Sequence, residues 1–237
     1  MCVMAANNEV GTIYPVETIA AIARHYQIPY LCDATQATGK IPLNIQDWGI
    51  TMLAFSAHKI YGPKGIGALI LDRSHPIDPL IYGGNQQQGL RPGTLNVPGI
   101  VALGAACHWR NKEMAKDETV IQLQRDRLQT LLLDLIPRLV INGDPHHRLA
   151  GNLHFSVPGI PNSAITARVG DRLAISTGSA CTSGVEMPSH VLQAMHLPPE
   201  YIEGAIRIGI GKFTTDAEIE TAAHLLQEEI AQIRALL

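Results

Sequence analysis

Four short apolar runs, each followed by polar residues, constrain this chain more than any other feature. They are Cys2 to Ala6, Ile28 to Cys32, Thr51 to Phe55 and Ala68 to Leu71. The first is expected as a buried strand. The stretches between the runs are too long for hairpin turns. One of them carries Ile19, Ile22, Ala23 and Tyr26 at helical spacing and is closed by Pro29. Strands separated by helices rather than by two-residue turns build an α/β architecture around a largely parallel sheet. Ligands of such sheets gather beyond the carboxyl ends of the strands. Asn8, Asp33 and the group Ser56, His58 and Lys59 each lie just past the end of a predicted strand.

Further along, Asn7 to Thr12 is a loop by its Asn and Gly content, and Tyr82 to Gly93 is a second, Gly-rich loop. Asn96 is placed to cap a helix starting near Val97. The charged stretch Asn111 to Glu118 marks a domain boundary, giving a first domain of residues 1–115 and a second of 116–237. Val120, Leu123, Leu128, Leu131, Leu132 and Leu135 form a helical apolar face that ends at Pro137. Strands are expected at Leu139–Ile141, Asn152–Val157, Leu173–Ser176 and Ala205–Ile210. The last helix opens on Thr215 and Glu218, spaced as a capping box, and presents Ile219, Ala222, Ala223, Leu226, Ile230 and Ile233 as one stripe.

Composition removes several classes of function. A hydrophobic share of 46% and a charged share of 16% describe a globular chain. The net charge of −3, with no Lys/Arg cluster among aromatics, gives no footprint for nucleic acid. No apolar run approaches the ~20 residues of a membrane span, and the short apolar start lacks the basic opening of a signal peptide. The four cysteines, Cys2, Cys32, Cys107 and Cys181, form no C-x-x-C pair, so zinc knuckles and disulfide scaffolds are disfavoured. Reduced thiols in a cytoplasmic protein are the expectation, with no metal site. His146-His147 is read as a polar loop pair.

A P-loop is absent, because Gly84 and Gly89 are followed by Leu90-Arg91 rather than Lys and Ser/Thr. A lysine at the mouth of buried strands can lose its proton by desolvation and act as a nucleophile or base. Lys59 is either such a group or an ordinary surface lysine. Asp33 and Gln36 stand one turn apart just after a strand. Asp33 is either a turn aspartate or a carboxylate able to keep a pyridinium nitrogen protonated. Ser56 and His58 either hold a phosphate or are structural. Ser176 to Gly184 is a hydroxyl-rich, glycine-bracketed loop around Cys181, whereas Cys32 and Cys107 sit in apolar runs and are read as inert. Arg207, a lone cation in an apolar strand, calls for a carboxylate partner, which is either an internal ion pair or a ligand.

Five segments together resemble the cysteine desulfurases of the class V aminotransferase group, in the branch of the iron–sulfur cluster and nitrogen-fixation enzymes. They are Asn7 to Gly11, Asp33 to Gln36, Ser56 to Gly65, Arg91 to Thr94 and Ser179 to Ser183. Ile206-Arg207 and Phe213 to Thr215 also fit. The resemblance implies a fold type I pyridoxal-phosphate-dependent transferase, with a partial large domain and a C-terminal α/β small domain carrying the cysteine loop. It implies pyridoxal 5'-phosphate as cofactor and Lys59 as its Schiff-base residue. Asp33 would pair with the pyridine nitrogen, and Gln36 with the ring oxygen. Asn8 would lie near that oxygen and the substrate. Ser56 and His58 would bind the phosphate, and Thr94 the phosphate of the other subunit in a homodimer. Arg207 would take the carboxylate of substrate L-cysteine, and Cys181 would accept its sulfur as a persulfide, leaving L-alanine. The persulfide would pass to an iron–sulfur scaffold or another acceptor protein.

The family pattern also implies a segment ahead of Met1, bearing a Gly/Thr phosphate-binding turn and a histidine stacked on the cofactor. Neither is found here. A truncated chain of impaired activity, limited to dimerisation or scaffold binding, is the alternative expectation. A selenocysteine lyase-like enzyme is a second alternative.

Overall fold

The computed structural model describes residues 1–178 and 188–236, and these fall into two compact units. The first comprises Met1–Ala6 and Ile13–Met114; the second comprises Asn7–Thr12 and Ala115–Leu237.

The first unit is built on β1 (Cys2–Met4), β2 (Leu31–Asp33), β3 (Met52–Ser56) and β4 (Gly67–Leu71), in that spatial order. The first three run parallel, and β4 returns antiparallel along β3. The sheet is therefore mainly parallel, as the alternating apolar runs require. β1 is shorter than its apolar run and is not buried: Cys2 is exposed, Val3 and Met4 are half-buried, and only Ala5 and Ala6 are enclosed. Two helices, α1 (Val16–His25) and α2 (Ile45–Trp48), occupy the connections. Helix α1 buries Val16, Ala20 and Ala23, while Ile22 and Tyr26 face outward. Of the expected face Ala23 is buried and Ile19 half-buried, and Val16 and Ala20, rather than Ile22 and Tyr26, complete the contact. Asn44 caps α2 by accepting from the N–H of Asp47, and Gly49 closes it in the left-handed region.

The charged stretch Asn111 to Glu118 does not interrupt the chain's helicity. One helix, α3, runs over Val97–Leu135, and Asn96 Oδ1 accepts from the N–H of Gly99 at its start. Near its beginning Leu103 packs with Ala57 and Ile60.

The second unit holds an antiparallel sheet ordered β5 (Val140–Ile141), β6 (Asn152–Ser156), β7 (Ala205–Gly209). Leu153 pairs with Ile208 and Phe155 with Ile206, so these four share one face. That face joins a core with Ile121, Leu128 and Leu132 of α3, Ile165 and Val169 of α4 (Asn162–Val169), and the stripe of α7 (Asp216–Arg234). The α7 stripe is the expected one, and Thr215 with Glu218 forms the complete capping box. Two short helices, α5 (His190–Ala194) and α6 (Pro199–Glu203), precede β7. Leu173–Ser176 is not a strand; only Ser176 pairs, in a single antiparallel bridge to Arg207.

The expected apolar face of α3 needs correction. Val120 is 47% and Leu123 65% exposed, whereas Ile121, Gln124 and Arg125 are buried beside Leu128 and Leu132. The two polar residues can be buried because Gln124 Nε2 donates to the Thr214 carbonyl, and Arg125 donates through Nε to the Asp126 carboxylate at 2.7 Å and through Nη1 to the Leu149 carbonyl. Leu132→Ala should therefore cost roughly 2–5 kcal/mol in urea unfolding. Leu123→Ala should stay within about 0.5 kcal/mol. The reverse order would restore the uncorrected face.

Candidate functional site

In the first unit the polar residues collect where the parallel strands end. Asp33, the last residue of β2, is paired with Ala54 of β3, and Ser56 closes β3 two positions later. Alternation along the strand puts Ser56 on the sheet face of Ala54 and hence of Asp33. A single 3₁₀ turn, Ala57–Lys59, follows at once and delivers His58 and Lys59 to the same edge. Ser56 Oγ lies 2.7 Å from His58 Nδ1, a hydroxyl–imidazole pair. Asp33 Oδ1 accepts from the N–H of Thr35 at 2.9 Å, which holds the carboxylate at the head of its turn. Lys59 and Gln36 are half-buried and make no side-chain hydrogen bond among the described residues. Both donors thus stand without partners among the described residues.

Thr94 is exposed on the segment before α3 and likewise makes no hydrogen bond among the described residues. Cys181 lies outside the described residues. Cys32 is buried and Cys107 half-buried; both are free thiols whose pKa values burial pushes up. His146 and His147 donate their backbone N–H groups to Asp144, as a loop pair does.

The second unit brings Asn8 and Arg207 together. The face of β6 and β7 opposite the core carries Asn152, His154, Ser156 and Arg207, with His154 paired directly across from Arg207. The turn Asn7–Thr12 docks in this unit: Asn7 Oδ1 accepts from the N–H groups of Glu9 and Val10, and Asn152 Nδ2 donates to the Glu9 carbonyl. Arg207 Nη1 donates to the Asn8 carbonyl at 2.6 Å and Nη2 to Ser176 Oγ at 2.9 Å. The carboxylate partner expected for Arg207 is not present among the described residues. A carbonyl and a hydroxyl satisfy its donors instead, and its partial exposure removes the need for a counter-ion.

Several polar residues around this face were not anticipated. Glu9 is fully buried and accepts from Ser189 Oγ at 2.5 Å. Ser176 and Ser189, held by Arg207 and Glu9, flank in sequence the segment that carries Cys181. His154 is also fully buried. Asn142 Nδ2 sits 3.0 Å from its Nδ1 and donates to Ser156 Oγ, and Ser156 donates to the Tyr201 carbonyl. An amide donating to Nδ1 selects the tautomer protonated at Nε2. The lone signal in the sequence was a histidine at an alternating position of an apolar strand.

The chain matches the aminotransferase class-V family over residues 1–221. It belongs to that family, whose members are pyridoxal-phosphate-dependent. Its relatives include a cysteine desulfurase of Gluconacetobacter diazotrophicus, 42% identical over 99% of this chain and 59% of that protein. A mitochondrial cysteine desulfurase of Arabidopsis thaliana is 39% identical over 99% of this chain and 52% of its own length. Among solved structures, a NifS-like protein superposes with a TM-score of 0.88 at 34% identity, over 97% of this chain and 60% of that one. The chain thus spans little more than half the length of the curated relatives it matches.

Burial first, and then the Arg207 charge, depress the His154 pKa from 6.5 to about 4. The folded state holds this ring neutral, while the unfolded chain takes up a proton below pH ~6.5. Stability should fall as pH drops from about 6.5 towards 4, by at most about 3 kcal/mol. Urea unfolding of His154→Asn at pH 7.5, 5.5 and 4.5 should give a shallower loss than wild type. An equal slope would remove His154 as the cause.

Proposed function

We propose that the chain carries the pyridoxal-phosphate site and sulfur-transfer residues of a cysteine desulfurase. The observation that carries this reading is the half-buried Lys59 amine, which has no hydrogen-bond partner among the described residues, on the strand edge shared with Asp33, Ser56 and His58. The residues suit the cofactor. Lys59 offers a free amine to an aldehyde, and Asp33 keeps one carboxylate oxygen clear of the Thr35 N–H to meet a pyridine nitrogen. Gln36 offers an unpaired amide to a ring oxygen. Ser56 and His58 form a pair whose hydrogens can turn to phosphate oxygens. When bound, pyridoxal phosphate supplies an electron sink for the substrate carbons.

The chain's own groups perform the remaining tasks. Arg207 keeps guanidinium donors beyond those given to Asn8 and Ser176, enough to take the carboxylate of L-cysteine. Asn8, whose carbonyl accepts from Arg207, would face the substrate with it. Lys59, as the base, moves the proton from the substrate Cα. The Cys181 thiolate then takes the substrate sulfur: the C–S bond breaks, an S–S bond forms, and the carbons leave as L-alanine. Thiol and cysteine go to persulfide and alanine with no outside oxidant. A thiol of an iron–sulfur scaffold or another acceptor protein collects the persulfide sulfur. In this reading residues 1–115 are large-domain and 116–237 small-domain, and Thr94 serves the phosphate of a second copy in a homodimer.

Adding pyridoxal phosphate should produce the absorbance near ~420 nm of a lysine-bound pyridoxal. The band should vanish in Lys59→Ala. Its survival there would show that the wrong lysine has been chosen. Sulfide release from L-cysteine under reductant should disappear in Cys181→Ser, whereas Arg207→Gln should raise the KM for cysteine about tenfold or more through loss of a charge-assisted contact.

A further inference from the structure

Asp33 and Gln36 stand on one loop and Lys59 on another, and both must address one cofactor. Each loop is locally stiff. Ala34 accepts from the N–H groups of Ala37 and Thr38, and Ala37 from those of Lys40 and Ile41, so residues 34–41 move as a block. Ala57 accepts from the N–H groups of Ile60 and Gly62, which closes a second block around Lys59.

One side chain of α3 touches both blocks. Arg110 is 3% exposed, and its Nε and Nη2 donate to the Gly39 carbonyl at 2.9 and 2.6 Å. Its guanidinium carbon lies 5.5 Å from the centroid of the Tyr61 ring. Gly39 is left-handed at φ +68°, and a Cβ there would lie 3.2 Å from the Arg110 stem and 3.0 Å from Ile60 Cγ2. Glycine is therefore required both by the backbone and by the stem packed against it. Tyr61 holds φ at +65°, costly for a bulky residue unless its surroundings impose it. A guanidinium against its ring is such an imposition. Gly39 lies three residues beyond Gln36, and Tyr61 two beyond Lys59.

We propose that Arg110 is a positioning residue of the cofactor site, clamping the Asp33–Gln36 block to the Lys59 block from behind. The proposal rests on the pyridoxal-phosphate reading for its purpose but not for its mechanics. Arginine suits the task because two parallel N–H groups meet one carbonyl while its flat face meets a ring. Lysine can offer a cation but no fork.

The test compares wild type, Arg110→Lys and Arg110→Met by amide hydrogen exchange without cofactor and by titration with pyridoxal phosphate. In Arg110→Met the amides of Thr38, Lys40 and Ile41, and those of Ile60 and Gly62, should exchange about tenfold faster, the scale of one hydrogen bond to a charged group. Amides of β6 and β7 should not change. The cofactor concentration giving half of the ~420 nm band should rise about tenfold, and Arg110→Lys should recover part of both effects. Met and Lys variants that keep wild-type exchange at the two blocks would overturn the clamp. So would uniform loosening of the whole first unit in both variants, or loosened blocks with unchanged cofactor affinity. If wild type itself gives no ~420 nm band, the cofactor reading fails, and the exchange data still decide the clamp.

Discussion

The parallel pairing of β2 with β3 is the constraint on which the candidate site depends. With Asp33 opposite Ala54, both strands release their chains at one edge of the sheet. Had the two run antiparallel, the aspartate and the lysine turn would emerge at opposite ends. A parallel pair needs a long crossover, and the segment bearing α2 provides it. The antiparallel β4 can then return directly from the lysine turn, with Gly67 paired to Ser56. Residues 56–67 therefore leave and re-enter the sheet at neighbouring positions, which confines Lys59 to a short, anchored excursion.

The second unit solves a different problem with the same alternation. One face of β6 and β7 is apolar and completes the core, while the other buries a hydroxyl and a histidine and half-buries an amide and an arginine. Burying such groups is costly unless they are bonded to one another. The chain from Tyr201 through Ser156 and Asn142 to His154 does part of this with neutral groups, and it leaves His154 Nε2 and Asn142 Oδ1 without a partner among the described residues. Neutrality matters at His154, because a second cation opposite Arg207 would repel it.

What was legible in the sequence was local. The apolar runs located the strands of both sheets except Leu173–Ser176, and Thr215 with Glu218 located a helix start, since each depends on neighbours a few residues away. The face of α3 was not legible. Gln124 and Arg125 are buried through bonds to the distant carbonyls of Thr214 and Leu149, and nothing near them in the chain announces those carbonyls. The same limit hid Arg110. It stands in a helix beside Cys107, His108 and Trp109, and its partner Gly39 is 71 residues away. The common sheet edge of Asp33, Ser56, His58 and Lys59 was legible because strand ends are predictable even where side-chain contacts are not. Glu9 gave no such signal, because its partner Ser189 lies 180 residues off.

Of the two carboxylate partners expected for Arg207, an internal ion pair is not present among the described residues. A half-buried guanidinium needs its donors satisfied, and an internal carboxylate would do so while cancelling the charge. The carbonyl of Asn8 and the hydroxyl of Ser176 satisfy donors without cancelling anything. A carbonyl dipole lowers the cost of holding the cation but leaves a net positive field at the sheet face. That distinction separates a structural arginine from one available to an anionic ligand. An internal ion pair at this position would be stable and inert, because an incoming carboxylate would have to displace one already in place. An arginine oriented by neutral acceptors is held in direction and still carries its full charge. An incoming substrate carboxylate would therefore meet a cation already aimed at it.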